Sequence, residues 1–100
     1  MILYNVTINI DNSVHDDWLE WMKTKHIPDV LSTGLFIENK IFKIITEDAN
    51  ENTYSIQYFL SSFEDYEKYQ KEHAVKLQEE HSKKYKNKFV TFRTLMEEVE

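Results

Sequence analysis

Residues Ile2-Leu3-Tyr4-Asn5-Val6-Thr7-Ile8-Asn9-Ile10 alternate with period two, placing Ile2, Tyr4, Val6, Ile8 and Ile10 on one side of an extended chain and Leu3, Asn5, Thr7 and Asn9 on the other. A strand with one face this apolar needs a covering layer, so everything downstream is constrained to build a sheet and something to lay on it. Asp11-Asn12-Ser13 stops the strand, and Ser13 with Asp16 resembles a capping box in which Asp replaces Glu. A helix is predicted from about residue 14 to 26. Its apolar side is Val14, Trp18, Trp21 and Met22, with Asp16, Glu20 and Lys23 opposite.

Pro28 disfavours helical geometry at Ile27, which ends this helix at His26; Pro28 itself suits the first turn of a short second helix through Asp29, Val30 and Leu31. Gly34, the only glycine, falls where a left-handed terminator belongs. Residues 35–46 and 53–60 are rich in aromatic and β-branched types and read as strands, joined by a hairpin loop over Glu47 to Asn52. Ser61 or Ser62 caps a long helix from about 63 to 84, and Lys88 to Met96 forms the last strand. The order β-α-β-β-α-β predicts an α+β, ferredoxin-like fold: a four-stranded antiparallel sheet with two main helices on one face, in a single domain over residues 1–100.

Composition removes several chemistries. One glycine cannot build a phosphate-cradling loop or a dinucleotide fingerprint, and without cysteine there are no disulfides, thiol nucleophiles or cysteine-held metals. The net charge is −6, with eight acids and four bases in the first half and ten and eight in the second. No broad basic face is expected for nucleic acid; the run Lys83, Lys84, Lys86 and Lys88 reads as a solvated helix end. Residues 1–10 lack the basic lead and cleavage site of a signal peptide, and no apolar run reaches membrane-spanning length. A soluble cytoplasmic protein without membrane contact is therefore the expectation.

Two helices cover one sheet face and leave the other open. In the last strand Phe89, Thr91, Arg93 and Leu95 alternate with Val90, Phe92, Thr94 and Met96, so both of its faces carry large apolar groups. Pairing with a second copy is the simplest way to cover them, and a homodimer is expected; in a monomer, long Lys and Glu stems would have to shield the aromatics.

The inward stripe of the second long helix is predicted as Phe63, Tyr66, Gln70, Ala74, Leu77 and His81, with His73 at its margin. Gln70 and His81 occupy positions where an inert core prefers Leu or Ile. They either bond to sheet residues or line a ligand cleft. His26 either balances the negative end of its helix or shuttles a proton beside Trp18 and Trp21. Asn5, Gln57 and Arg93 are candidates for one polar cluster on neighbouring strands, with Arg93 suited to a carboxylate or phosphate, or to an interstrand ion pair. Tyr4 and Tyr58 alternate onto the face expected to meet the helices, where their hydroxyls can serve a ligand or the core. His73 and His81 are about 12 Å apart along a helix, too far for one ion, so neither a metal nor another cofactor is expected.

The segments Tyr4 to Asp11, Trp18-Leu19-Glu20-Trp21-Met22, His26-Ile27-Pro28-Asp29-Val30-Leu31, Thr33-Gly34, Tyr54-Ser55-Ile56-Gln57-Tyr58, His73-Ala74 and Phe89 to Thr94 recur in order along essentially the whole chain. Together they resemble the bacterial domain-of-unknown-function family DUF4286. The resemblance implies a ferredoxin-like fold and, more loosely, kinship with the dimeric α/β-barrel group, which includes antibiotic-biosynthesis monooxygenases. It implies no activity, so no catalytic role is carried over. Two functions remain open. One is a small-molecule binding protein or cofactor-independent enzyme with a cleft between sheet and helices, whose candidate residues are Tyr4, Trp18, His26, Tyr58, His73 and Arg93. The other is a non-catalytic dimeric interaction or regulatory module.

Overall fold

The N-terminal alternation becomes a central strand. β1 (Ile2–Ile10) pairs antiparallel with β3 (Thr53–Leu60) on one side and β4 (Phe89–Glu97) on the other, and β2 (Glu38–Lys43) joins the far side of β3. The structure, a computed structural model describing residues 1–100, thus has a four-stranded antiparallel sheet of order β2-β3-β1-β4. Two helices lie on one face: α1 (residues 15–31) and α2 (residues 63–84). This is the ferredoxin-like α+β architecture. Register aligns Val6 with Ile56 and Arg93, so Tyr4, Val6 and Ile8 share the helix-covered face with Ile56, Tyr58, Thr91 and Arg93.

Both helices depart from uniform winding. Each carries a π turn between α-helical ends, over Met22–His26 in α1 and Gln70–Ala74 in α2. In α1 the expected stop at His26 does not occur. Ile27 is helical at φ −62° and ψ −46°, and its N–H reaches the Met22 carbonyl five residues back. Pro28 does begin an α-helical segment, Ile27–Leu31, but that segment continues α1. The π turn also explains the buried stripe. Residues four apart in an α-helix overshoot one turn by about 40°; the wider turn winds that drift back, so Trp18, Met22 and Val30 are all buried and His26, between them, is mostly so. In α2 the buried residues run Tyr69, Ala74, Leu77 and His81, with a five-residue step across the π turn. Uniform winding had placed Gln70 and Phe63 inward; instead Tyr69 is buried, Gln70 half-buried and Phe63 exposed.

At the start of α1, Asp11 rather than Ser13 supplies the cap, accepting from Ser13 N–H at 2.9 Å and Ser13 Oγ–H at 2.6 Å around a 3₁₀ turn, Asn12–Val14. Ser62 caps α2 by accepting from Asp65 N–H at 3.3 Å. Gly34 follows α1 at φ +79°.

The second sheet face bears no helix. Its centre is a polar ladder: Ser55 Oγ donates to Asn5 Oδ1 at 2.6 Å, Asn5 Nδ2 to Thr7 Oγ1 at 3.0 Å, and Gln57 Nε2 to Ser55 Oγ at 3.3 Å. The expected cluster of Asn5, Gln57 and Arg93 does not form, because side chains alternate across a strand and Arg93 lies on the opposite face. Flanking the ladder, Val90 is 70% exposed, Phe92 62%, Phe42 50% and Met96 42%.

Candidate functional site

Between the sheet and the two helices lies a cavity of about 40 Å³, room for roughly three waters. β1 contributes Tyr4, Val6 and Ile8 to it, β3 Ile56 and Tyr58, and α1 Met22, His26 and Val30. Tyr69, Leu77, Gln78, His81 and Ser82 come from α2, and Phe89, Thr91 and Arg93 from β4. Ser82 and Arg93 are exposed and Gln78 and Thr91 half-buried, so the cavity opens between α2 and β4, with polar groups at its mouth.

Two imidazoles stand in the wall with ring centroids 5.7 Å apart. Trp18, fully buried behind His81, donates its indole N–H to His81 Nε2 at 2.9 Å, which leaves the ring proton of neutral His81 on Nδ1. Trp21 stacks on His26 with centroids 5.0 Å apart. Burial pushes His26 down to about 4, opposed by Glu80 and Asp29; burial, reinforced by His26 and Arg93, pushes His81 down to about 4 as well. Both rings are therefore uncharged at neutral pH. His26 Nδ1 is fully buried and has no hydrogen-bond partner.

The tyrosines divide in two. Tyr54 and Tyr85 are bonded, to His15 Nε2 at 2.6 Å and Asp17 Oδ2 at 2.8 Å. Tyr58 and Tyr69, in the cavity wall, have hydroxyls outside the protein's hydrogen-bond network, and burial raises both above the ordinary phenol value. Burial also raises Tyr4, against the pull of the Arg93 charge. The site can thus offer neutral imidazole, phenol and guanidinium groups to one small guest. No cluster of three His, Asp or Glu side chains is placed to hold a metal ion.

Of the residues singled out from the sequence, Tyr4, His26, Tyr58 and Arg93 meet at this cavity. Trp18 supports it from behind through His81. His73 does not join them: it lies in an outer groove with Lys25, Asp29 and Glu72. Tyr69, Gln78, Ser82 and Thr91 were missed; His81, expected either to bond to the sheet or to line a cleft, lines the cavity and bonds Trp18 of α1. A signal existed in α2, where Gln78 and Ser82 sit four residues apart on the helix face beside His81.

Solved structures resemble the fold over its full extent. A dimeric ferredoxin-like protein from an uncultured marine organism has 18% identity and a TM-score of 0.71, covering 100% of this chain and 96% of its own. An ethyl tert-butyl ether d (ethd) family protein from Bacillus halodurans has 13% identity and a TM-score of 0.71, covering 99% of this chain and 100% of its own. A second dimeric ferredoxin-like protein from an uncultured marine organism has 15% identity and a TM-score of 0.55, covering 98% and 97%. Among curated proteins, none matches the chain. The family model for the domain of unknown function DUF4286 matches residues 1–99, and this chain belongs to that family.

Proposed function

We propose that this protein is a homodimer whose protomers each bind a small molecule in the cavity between sheet and helices. The observation that carries the reading is the fully buried His26 Nδ1, which has no protein partner in a cavity wall that also bears the Tyr58 and Tyr69 hydroxyls. A buried polar atom left unbonded costs about 1–3 kcal/mol. A guest that bonds the hydroxyls, and toward which the His26 ring turns, recovers that cost. The exposed strip of Val90, Phe92 and Met96 supports the dimer, as do two structural neighbours that are dimeric ferredoxin-like proteins.

A thermal-shift screen against a metabolite library tests the reading, since a specific ligand raises the melting temperature by mass action. His81→Leu should fold with reduced stability, because Trp18 loses its acceptor, and should abolish the ligand-dependent shift. An unchanged shift rejects the role of His81. No shift across the library favours the second reading, a dimeric interaction module working through the same exposed strip.

A further inference from the structure

We infer that the guest of this cavity is a small, flat carboxylate, with its carboxylate on Arg93 and its carbon body among the aromatic rings of the wall. The inference rests on the binding reading above and names the ligand class. The chain has 18 acidic side chains, yet none of them lines the cavity. Its one arginine does, at the mouth, while the eleven lysines lie elsewhere. Arg93 also takes no part in any of the three ion pairs of the structure, which use His15, Lys25 and Lys40. Because both wall histidines are neutral, the guanidinium is the only formal charge at the site, and it selects for a single negative charge.

Shape narrows the class further. A guanidinium fork matches the two oxygens of a carboxylate. Aromatic rings on β3, α2 and β4 bound the interior, which favours a flat unsaturated body, and a cavity of about 40 Å³ favours a compact one. The Nδ1–H of His81 can then bond a second oxygen or nitrogen of the guest.

The test is an amide and side-chain NMR titration of the full chain with crotonate and with crotyl alcohol, which has the same carbon chain but no charge. Crotonate should shift Thr91, Arg93 and His81 resonances and bind about tenfold more tightly than the alcohol. Arg93→Gln should remove that advantage, Arg93→Lys should keep part of it, and Lys40→Gln, which deletes a cation on the open sheet face, should leave it intact. Equal binding of the two compounds, or a crotonate affinity unmoved by Arg93→Gln, overturns the carboxylate assignment while leaving a small-molecule cavity. If neither compound perturbs cavity resonances at tens of millimolar, the carboxylate assignment fails, and the binding reading then stands or falls with the thermal-shift screen alone.

Discussion

His26 and His81 show how burial sets chemistry one side chain at a time. Each ring has lost enough water that its cationic form is disfavoured, and each is held near pKa 4 in the fold. In the unfolded chain both titrate near the ordinary histidine value of about 6.5. The unfolded state therefore takes up protons first as pH falls. Stability should be full above about pH 6.5, decline between about 6.5 and 4, and stop declining on this account below that. A shift of this size corresponds to on the order of 3 kcal/mol for each ring. Urea midpoints followed from about pH 7 to pH 4.5 should fall accordingly, and the paired His26→Gln, His81→Gln variant should flatten the profile. A profile identical in the two proteins would show that neither imidazole is held neutral by the fold. That His81 was unusual was legible in the chain, because a histidine in an apolar stripe is conspicuous; His26 was singled out instead as the residue at a helix end. Their convergence was not: His26 and His81 are 55 positions apart (81 − 26) on different helices.

Helix winding accounts for most of what was misread in the elements. The length of α2 and the positions of all four strands followed from periodicity, capping and turn residues. The two π turns did not, because the pattern was read at a constant 100° per residue. Uniform pitch drew Gln70 inward and overlooked Tyr69, while the expected effect of Pro28 on Ile27 ended α1 early at His26. A π turn adds one residue to a helix and is often found at functional sites; here both π turns adjoin the cavity, the first through Met22 and His26 and the second just after Tyr69. Gly34 is the counter-example, a position where one residue type specified the backbone correctly. It sits at φ +79° with no atom within 4 Å of where a Cβ would be, so replacing it strains only the backbone. Gly34→Ala should cost about 1–2 kcal/mol, lowering the melting temperature by about 4–8 °C per kcal/mol for a domain of this size. Gly34→Asn should cost less, because Asn tolerates the left-handed region. Equal losses for the two variants would place the constraint in packing instead.

The assembled molecule has two unlike sheet faces. The covered face holds the core and the cavity. The other presents a bonded polar ladder between apolar flanks, with Phe92 62% exposed. If two copies meet there, light scattering should give about twice the 12.1 kDa chain mass, and Phe92→Glu should return it to one chain by burying a charge at the interface. A wild-type mass of one chain would remove the dimer from the proposal. No helix of the molecule is long and apolar enough to cross a membrane.

What could be read along the chain was whatever depends on neighbours a few residues apart: strand alternation, helix stripes, the Gly34 stop, the hairpin loop, and hence the βαββαβ order. Composition added which chemistries were missing. What required the folded molecule was everything that depends on distance across the chain. Register put Arg93 on the face of Tyr4 and not of Asn5, π turns set which side chains of α1 and α2 reach the sheet, and packing left His26 Nδ1 without a partner. Periodicity specifies a face, but a site is a coincidence of faces. It forms only when strands pair in one register and helices settle at one rotation.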